Sequence, residues 1–317
     1  MKKKKLIILT GPTAVGKTKL SIALSKAVNG AVISADSMQV YKYMDIGSAK
    51  ITPEEMDGVK HYLVDILDPC DPEGFNVTRF QNLALEAMEE IYAEGKVPIL
   101  VGGTGFYIQS VVYDIDFTEN DADTAYRTML EKMAEEKGAE FLHDMLKVVD
   151  PKAAEEIHFN NVKRVIRALE FFQKTGGPIS SHNEIERQKE SPYEFYYFVL
   201  NDDRAKLYER IEKRVDMMIE AGLADEVKKL LDMGCTRDMV SMQGLGYKEM
   251  IDYLHGEISL EEAIYVIKRD TRHFAKRQLT WFRRERDVRW INKSDFASEE
   301  EILAYMLKQM NTAEEME

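Results

Sequence analysis

The sequence predicts an α/β fold, a parallel β-sheet with helices on both faces, interrupted by an all-helical insertion. Short apolar runs alternate with helical segments in the first third of the chain, a pattern typical of βα units. The first run leads into a glycine-rich loop of the form G-x-x-x-x-G-K-[ST], which indicates a P-loop NTPase-like core. Between residues 115 and 190 only helix-like segments remain. We therefore predict a core made of residues 1–114 and 193–317, with C-terminal helices in the second part, and a helical insertion domain at residues 115–192.

The glycine-rich loop lies between the apolar run Leu6–Leu9 and a segment with helical spacing, Lys19–Val28. Its residues are Gly11, Pro12, Thr13, Ala14, Val15, Gly16, Lys17 and Thr18. The glycines allow backbone N–H groups to turn toward an anion, and the helix N-terminus adds partial positive charge. Lys17 supplies a cation, and the Thr18 hydroxyl is a candidate ligand for Mg²⁺. This pattern predicts a di- or triphosphate site without specifying the reaction.

Four further strands are predicted from apolar runs at Ala31–Asp36, His61–Leu67, Val97–Val101 and Tyr193–Leu200, and Val77–Ala93 has helical periodicity. Ligands of such sheets bind beyond the carboxyl ends of the strands. Besides the glycine-rich loop, the groups placed there are Asp36–Gln39 and Gly102–Thr104. Simpler interpretations stay open: Asp36 as a helix cap or turn former, Gly102–Thr104 as a strand-to-helix turn, and Thr104 as a helix cap.

Composition restricts the class of protein and its compartment. Cys70 and Cys235 match no CxxC or zinc spacing, so we expect no disulfide framework and a reducing environment. The lysine-rich start precedes an apolar run too short for a signal peptide, and no stretch approaches the roughly 20 apolar residues that cross a bilayer. We therefore expect a cytoplasmic protein without membrane association, and a monomer.

Basic side chains are concentrated although the net charge is −13. From Lys268 to Arg289 nine basic residues stand against three acidic ones. Arg210 and Arg214 share a helix face, either as a clamp on phosphate or as a solvated face paired with Glu209 and Glu212.

Two other segments combine groups that bind single-stranded RNA. One is the loop Met242–Lys248, with Gln243, Gly244, Leu245, Gly246, Tyr247 and Lys248, and the other is the cationic helix side of Lys163, Arg164 and Arg167. Each alone is consistent with ordinary surface, but their co-occurrence favours nucleic acid over a small acceptor.

Four motifs occur together and in order: GPTAVGKT at 11–18, DSMQVY at 36–41, GGTGFY at 102–107 and KRQLTWFR at 276–283. This set closely resembles the bacterial tRNA dimethylallyltransferases, from about Leu6 to about Ile291. The resemblance implies transfer of a dimethylallyl group from dimethylallyl diphosphate to N6 of the adenosine beside the tRNA anticodon. The loop would then hold the diphosphate of an alkyl donor. The tail beyond Ser294 carries no motif of this family, and we assign it no role.

The resemblance also implies roles for individual residues. Asp36 would be the general base, with Thr104 and Lys17 also catalytic, and Arg210 and Arg214 would lie near the donor's diphosphate. Contacts to the tRNA anticodon stem-loop would come from Asp36, Ser37, Met38, Gln39, Thr104, Arg127, Lys163, Arg164, Val165, Ile166, Arg167, Gln243, Gly244, Leu245, Gly246, Tyr247, Lys248, Lys276, Arg277 and Arg283.

Two alternatives remain. A P-loop kinase or an adenylate isopentenyltransferase would act on a small nucleotide and would need neither the basic stripe nor the insertion. An RNA-binding ATPase would hydrolyse ATP without modifying RNA, but the strand ending at Val101 lacks a Walker-B aspartate.

Overall fold

A computed structural model describes residues 3–117 and 124–314. The strands are β1 (Lys4–Thr10), β2 (Gly30–Ala35), β3 (His61–Tyr62), β4 (Val97–Gly102), β5 (Tyr193–Asn201) and β6 (Val288–Asn292). They form one sheet in the order β3-β2-β4-β1-β5-β6, and every pair is parallel. The predicted fold class is confirmed.

The helices are α1 (Lys17–Ala27), α2 (Pro53–Met56), α3 (Val77–Ala93), α4 (Gly105–Val112), α5 (Thr124–Lys137), α6 (Ala139–Val149), α7 (Pro151–Glu156), α8 (Val162–Thr175), α9 (Ile179–Gln188), α10 (Arg204–Glu220), α11 (Leu223–Asp232), α12 (Tyr247–Leu254), α13 (Leu260–Phe282) and α14 (Glu299–Glu314). Short 3-10 helices occur at Ser241–Gln243 and Lys293–Asp295.

Helices cover both faces of the sheet. All four residues of Leu6–Leu9 in β1 are completely buried, although consecutive side chains of a strand point to opposite faces. On the face that includes Ile7, the helices α1 and α14 supply Leu20 and Met306 to one continuous core. The C-terminal segment, to which the sequence assigned no role, is therefore part of that core because α14 packs against α1.

Two strands differ from the sequence prediction. The third strand comprises only His61–Tyr62, because Leu63 and Asp65 adopt φ values of 61° and 57°, in the left-handed region that ends a strand. Sequence analysis missed β6, which pairs with β5 at the edge of the sheet. Its residues follow a run of charged side chains, and only Ile291 among them is buried.

The chain divides into two compact units, Met1–Val112 with Pro192–Glu317, and Tyr113–Ser191. The second unit is helical, and its core includes Leu142 and Leu146 of α6 and Leu169 of α8. Buried Asp150 stabilises it: Oδ1 accepts from the Ala153 N–H at 2.9 Å, and Oδ2 accepts from the Ser180 N–H at 2.9 Å.

One expectation about the cysteines is wrong. Cys70 and Cys235, 165 positions apart in sequence, form a disulfide with a Cα–Cα distance of 5.0 Å. Their spacing gave no indication of this pairing, because it depends on how the loop after β3 meets the end of α11. Across residues 3–117 and 124–314, none of the helices is long and apolar enough to cross a membrane.

Candidate active site

The glycine-rich loop connects β1 to α1. Gly11 and Gly16 adopt φ values of 145° and 98°, which side-chain-bearing residues rarely adopt. A Cβ on Gly11 would also lie 2.4 Å from the carbonyl oxygen of Leu200. Because α1 begins at Lys17, directly after Gly16, its first-turn N–H groups open onto the loop without a side-chain cap. The loop therefore has the backbone geometry of an anion site.

Lys17 lies at the centre of this loop. Its Nζ donates to the carbonyl oxygens of Gly11 at 3.0 Å and Pro12 at 2.9 Å, which uses two of its three donors. The pKa of Lys17 is lowered from 10.5 to about 8, chiefly by burial and also by the nearby Arg214, while Asp36 opposes both effects. An anion placed here would stabilise the charged form of Lys17 by offsetting its repulsion with Arg214.

The two arginines of α10 reach the same loop. Arg210 donates through Nε to the Ala14 carbonyl at 2.9 Å and pairs through Nη2 with Asp202 at 2.8 Å. Arg214 approaches the Thr13 hydroxyl at 3.4 Å; burial lowers its pKa, while Asp36 and Glu55 raise it.

The alternative of a solvated face paired with acids of the same helix is not what the structure shows, because Glu212 pairs with Arg272 at 2.6 Å. Arg210 is bonded to the loop through the Ala14 carbonyl, whereas Arg214 is a half-buried cation beside Lys17 and Asp36.

Asp36 follows β2 and forms a turn, as its simpler interpretation proposed. Its Oδ1 accepts from the N–H groups of Met38 at 2.8 Å and Gln39 at 3.3 Å. Its Oδ2 makes no hydrogen bond to any residue within 3–117 or 124–314. The carboxylate therefore holds the turn with one oxygen and keeps the other for a proton or a ligand, while its charge acts on Lys17 and Arg214.

The loop after β4 lies beside this turn. The Thr104 N–H donates to the Ala35 carbonyl at 3.2 Å, and a Cβ on Gly102 would lie 2.1 Å from the same oxygen. Thr104 directly precedes α4, whose residues Tyr107 and Ile108 donate their N–H groups to the Thr104 carbonyl. Thr104 thus lies at the first turn of α4 and at the carboxyl edge of the sheet, next to Asp36.

Gln278 of α13 joins two of these loops, and sequence analysis did not single it out. Its Oε1 accepts from the Thr13 N–H at 2.9 Å, and its Nε2 donates to the Gly103 carbonyl at 3.0 Å. Trp281 lies three positions further along the same face and leaves no room for a side chain at Gly105. Gln278 is part of the motif KRQLTWFR, but the sequence interpretation considered only the cations of that motif.

Lys293 is a second residue that the sequence did not reveal. Its Nζ donates to the Val15 carbonyl at 3.3 Å and lies 3.4 Å from Glu299 Oε1 of α14. A Cβ on Gly16 would lie 2.9 Å from Nζ. The C-terminal segment therefore contacts the glycine-rich loop at Val15 and Gly16.

The segments Ser37–Gln39 and Gln243–Lys248 contact each other, since a Cβ on Gly244 would lie 2.6 Å from Met38 Cε. Gln39 points inward and donates to the Ala49 carbonyl at 3.2 Å. Gln243 is exposed, whereas Tyr247 is completely buried. The predicted stacking surface at Tyr247 is wrong, because its ring fills the space beside Gly47.

The basic stripe divides into two halves. In the first half Lys268 pairs with Asp216 at 2.6 Å and Arg269 with Asp270 at 2.7 Å. In the second half Lys276, Arg277 and Arg283 are exposed. A cavity of about 400 Å³ in that half is lined by His273, Lys276, Arg277, Thr280, Trp281 and Arg284. Only this second half presents cations with an aromatic ring to an anionic partner.

The helical unit carries the remaining candidate residues. Lys163 and Arg164 on α8 are exposed, and Arg167 is half-buried. Val165 and Ile166 belong to the core, so the prediction that their side chains contact tRNA is wrong. Arg127 forms a two-point ion pair with Glu170, at 2.9 and 2.8 Å.

The parallel sheet and the loop that follows its central strand β1 define an α/β protein of the P-loop NTPase-like class. The chain belongs to the IPP transferase family, whose sequence profile matches residues 39–285. It is 64% identical over 303 residues to a tRNA dimethylallyltransferase of Lachnoclostridium phytofermentans, covering 96% of both chains.

Two solved structures are similar to this one. The first is the full-length tRNA isopentenylpyrophosphate transferase from Bacillus halodurans, with a TM-score of 0.74, 48% identity and coverage of 99% of this chain and 98% of that one. The second is a eukaryotic dimethylallyltransferase acting on tRNA, with a TM-score of 0.77, 29% identity and coverage of 91% of this chain and 74% of that one.

Proposed function

We propose that this protein transfers a dimethylallyl group from dimethylallyl diphosphate to N6 of adenosine 37, next to the tRNA anticodon, and releases diphosphate. One observation carries the proposal: the half-buried side chains of Lys17 and Arg214 both reach the glycine-rich loop, Lys17 at the Gly11 and Pro12 carbonyls and Arg214 at the Thr13 hydroxyl, beside the carboxylate of Asp36. Two cations held together in this way suit a ligand of high negative charge. Membership of the IPP transferase family supports a prenyl diphosphate as that ligand.

The leaving group presents the larger chemical difficulty. The exocyclic amine of adenine is a weak nucleophile, so the barrier falls mainly by stabilising charge on the departing diphosphate. Lys17, the N–H groups of the loop and Arg214 supply that stabilisation at fixed positions. Arg210 holds the loop through the Ala14 carbonyl and so contributes indirectly.

A proton acceptor is also needed as the C–N bond forms. Asp36 Oδ2 is the candidate, because Oδ1 is already engaged by the Met38 N–H. Thr104, at the adjacent first turn of α4, would orient the amine in this proposal. General-base assistance of this kind typically contributes a factor of about 10²–10⁴ in rate.

Mg²⁺ fits this site only as a partner of the diphosphate. Across the described parts of the chain, no group of three or more His, Cys, Asp or Glu side chains could hold a metal. Thr18 is exposed at the second residue of α1 and would supply one hydroxyl ligand, with diphosphate oxygens and water completing the shell. When bound, Mg²⁺ would neutralise negative charge on the leaving group.

The tRNA would be bound by residues of both units. On the first unit we propose contacts from Ser37, Met38, Gln39, Gln243, Gly244, Leu245, Gly246, Lys248, Lys276, Arg277 and Arg283, without the buried Tyr247. On the helical unit the proposed contacts are Lys163, Arg164 and Arg167, with Arg127 shared between tRNA and Glu170. We propose that the enzyme acts as a monomer in the cytoplasm, where tRNA is found.

In the experiment, purified protein is incubated with Mg²⁺, dimethylallyl diphosphate and unmodified tRNA. The tRNA is then digested to nucleosides, whose masses are measured by mass spectrometry. We expect a mass increase of one dimethylallyl group on adenosine, abolished in Lys17→Met. Parallel reactions with AMP or ATP instead of tRNA test the adenylate isopentenyltransferase. Release of ADP from ATP with unmodified tRNA would support the kinase and contradict the proposal.

A further inference from the structure

Glu226 of α11 receives an unusual set of hydrogen bonds. Its Oε2 accepts from the N–H groups of Asp45 at 2.8 Å and Ile46 at 2.7 Å, and its Oε1 accepts from the Gly47 N–H at 3.0 Å. The Tyr247 hydroxyl donates to the same Oε1 at 2.9 Å. One carboxylate thus binds three successive backbone amides and a buried phenol, and hydrogen bonds to an ionised acceptor are stronger than neutral ones.

The loop backbone packs tightly against the Tyr247 ring beside this carboxylate. A Cβ on Gly47 would lie 2.6 Å from the Tyr247 ring, so the loop backbone lies directly on the ring. Burial and the neighbouring Glu226 raise the pKa of Tyr247 well above its usual value, so its hydroxyl stays protonated and donates. The Glu226 carboxylate, Tyr247 and the loop backbone therefore form one interlocked contact.

This contact holds the tip of the loop that begins at Asp36. We call residues 36–50 the acceptor loop. At its near end the Asp36 carboxylate forms the Met38 turn, and at its far end Lys50 donates to the Tyr41 carbonyl at 2.7 Å. Gln39 spans the two ends by donating to the Ala49 carbonyl. Glu226 is the carboxylate by which α11 holds the tip of this loop.

Tyr247 extends the contact to the second segment. It is the first residue of α12, and a Cβ on Gly244 would lie 3.2 Å from its ring and 2.6 Å from Met38 Cε. The acceptor loop and the segment Gln243–Lys248 are therefore registered against each other through Tyr247 and Glu226. Neither segment has a direct covalent or strand connection to the other.

We propose that Glu226 is a positioning residue for the RNA acceptor: it holds the acceptor loop against Gln243–Lys248, so that the nucleoside meets Asp36 in a productive geometry. The inference rests on the proposed function. Glu226 acts through the loop and does not touch the diphosphate loop, so its effect belongs to the RNA substrate and not to the prenyl donor.

Glu226→Gln tests this with the smallest change of shape. Glutamine has one acceptor oxygen, so its amide group faces backbone N–H groups that need an acceptor. We expect kcat/KM for tRNA to fall about 10- to 100-fold, the range for losing a hydrogen bond to a charged group. The KM for dimethylallyl diphosphate should stay within about twofold. Hydrogen exchange at the amides of residues 45–47 should accelerate.

Two further variants complete the test. Asp225→Asn removes the same charge from the adjacent, exposed position of α11 and should leave all three measurements unchanged. Tyr247→Phe keeps the ring but removes one of the four donors, so it should lower kcat/KM for tRNA by less and leave the KM for dimethylallyl diphosphate unchanged. This variant tests the positioning role if Glu226→Gln fails to fold.

An unchanged kcat/KM for tRNA, or an equal rise in both KM values, would overturn the positioning role. If the wild-type protein did not prenylate tRNA at all, the proposed function would fail. The exchange of amides 45–47 would still report whether Glu226 holds the loop.

Discussion

Gln278 offers the sharpest test of how the site is assembled. Replacing it by methionine keeps the length and volume of the side chain but removes both polar groups. The Thr13 N–H and the Gly103 carbonyl then lose their partner, and water has little access because position 278 is only 7% exposed. Each unpaired buried group costs about 1–3 kcal/mol, so Gln278→Met should lower the free energy of unfolding by about 2–6 kcal/mol.

Urea denaturation followed by tryptophan fluorescence measures this change. Both tryptophans, Trp281 and Trp290, lie in the unit that contains Gln278, so the signal reports the relevant unfolding. Thr280→Val is the matched control, because Thr280 is exposed two positions along α13 and should change stability by less than about 0.5 kcal/mol. A Gln278→Met protein within about 0.5 kcal/mol of the wild type would refute the role of this bridge.

Gln278→Glu should make the stability of the protein depend on pH. The carboxylate still accepts from the Thr13 N–H but faces the Gly103 carbonyl with a second acceptor, so burial and this contact raise its folded pKa. The protonated form regains a donor. Stability should therefore be highest at low pH and decrease as pH rises through the raised pKa. Equal stability at pH 5 and pH 8 would contradict this reasoning.

Four further predictions concern the chemistry, the RNA surface and the cysteines. Asp36→Asn keeps the Oδ1 acceptor of the turn, so tRNA affinity should stay within about threefold while the single-turnover rate falls about 10²–10⁴-fold; an unchanged rate would remove Asp36 from the mechanism. Because the free enzyme's Lys17 has a pKa of about 8, kcat/KM for the donor should decline above that pH; a flat profile to pH 10 would argue against a role for its charge. Arg277→Gln should make the salt dependence of tRNA binding shallower by about one unit of slope, and an identical slope would leave Arg277 without a phosphate contact. Unreduced, denatured protein should take up no alkylating reagent at Cys70 or Cys235, and two labels without prior reduction would exclude the disulfide.

Lys17 also has a consequence for stability. Its folded pKa of about 8 lies below the ordinary 10.5, so the unfolded chain binds more protons between these two values. The free energy of unfolding from this group therefore rises with pH across that window and is lowest below it. Function and stability thus respond to pH in opposite directions at this residue.

Much of the fold follows from local sequence. The continuous apolar run Leu6–Leu9 predicts a strand buried on both faces, and the spacing of Gly11, Gly16 and Lys17 predicts an anion loop, because these properties depend on side chains only a few positions apart. The short β3 departs from its apolar pattern because Leu63 and Asp65 turn into the left-handed region.

The tertiary structure decided which residues support that loop and which only resemble ligands. Gln278 meets Thr13 across 265 positions and Glu226 meets Asp45 across 181, and no local pattern encodes such pairs. Tyr247 looks in sequence like a stacking surface, yet its ring is buried. The sequence by itself determined the strand, the loop and the family, since these are properties of short segments. The partners of each polar group were decided only when distant segments packed together, because hydrogen bonds depend on positions in space.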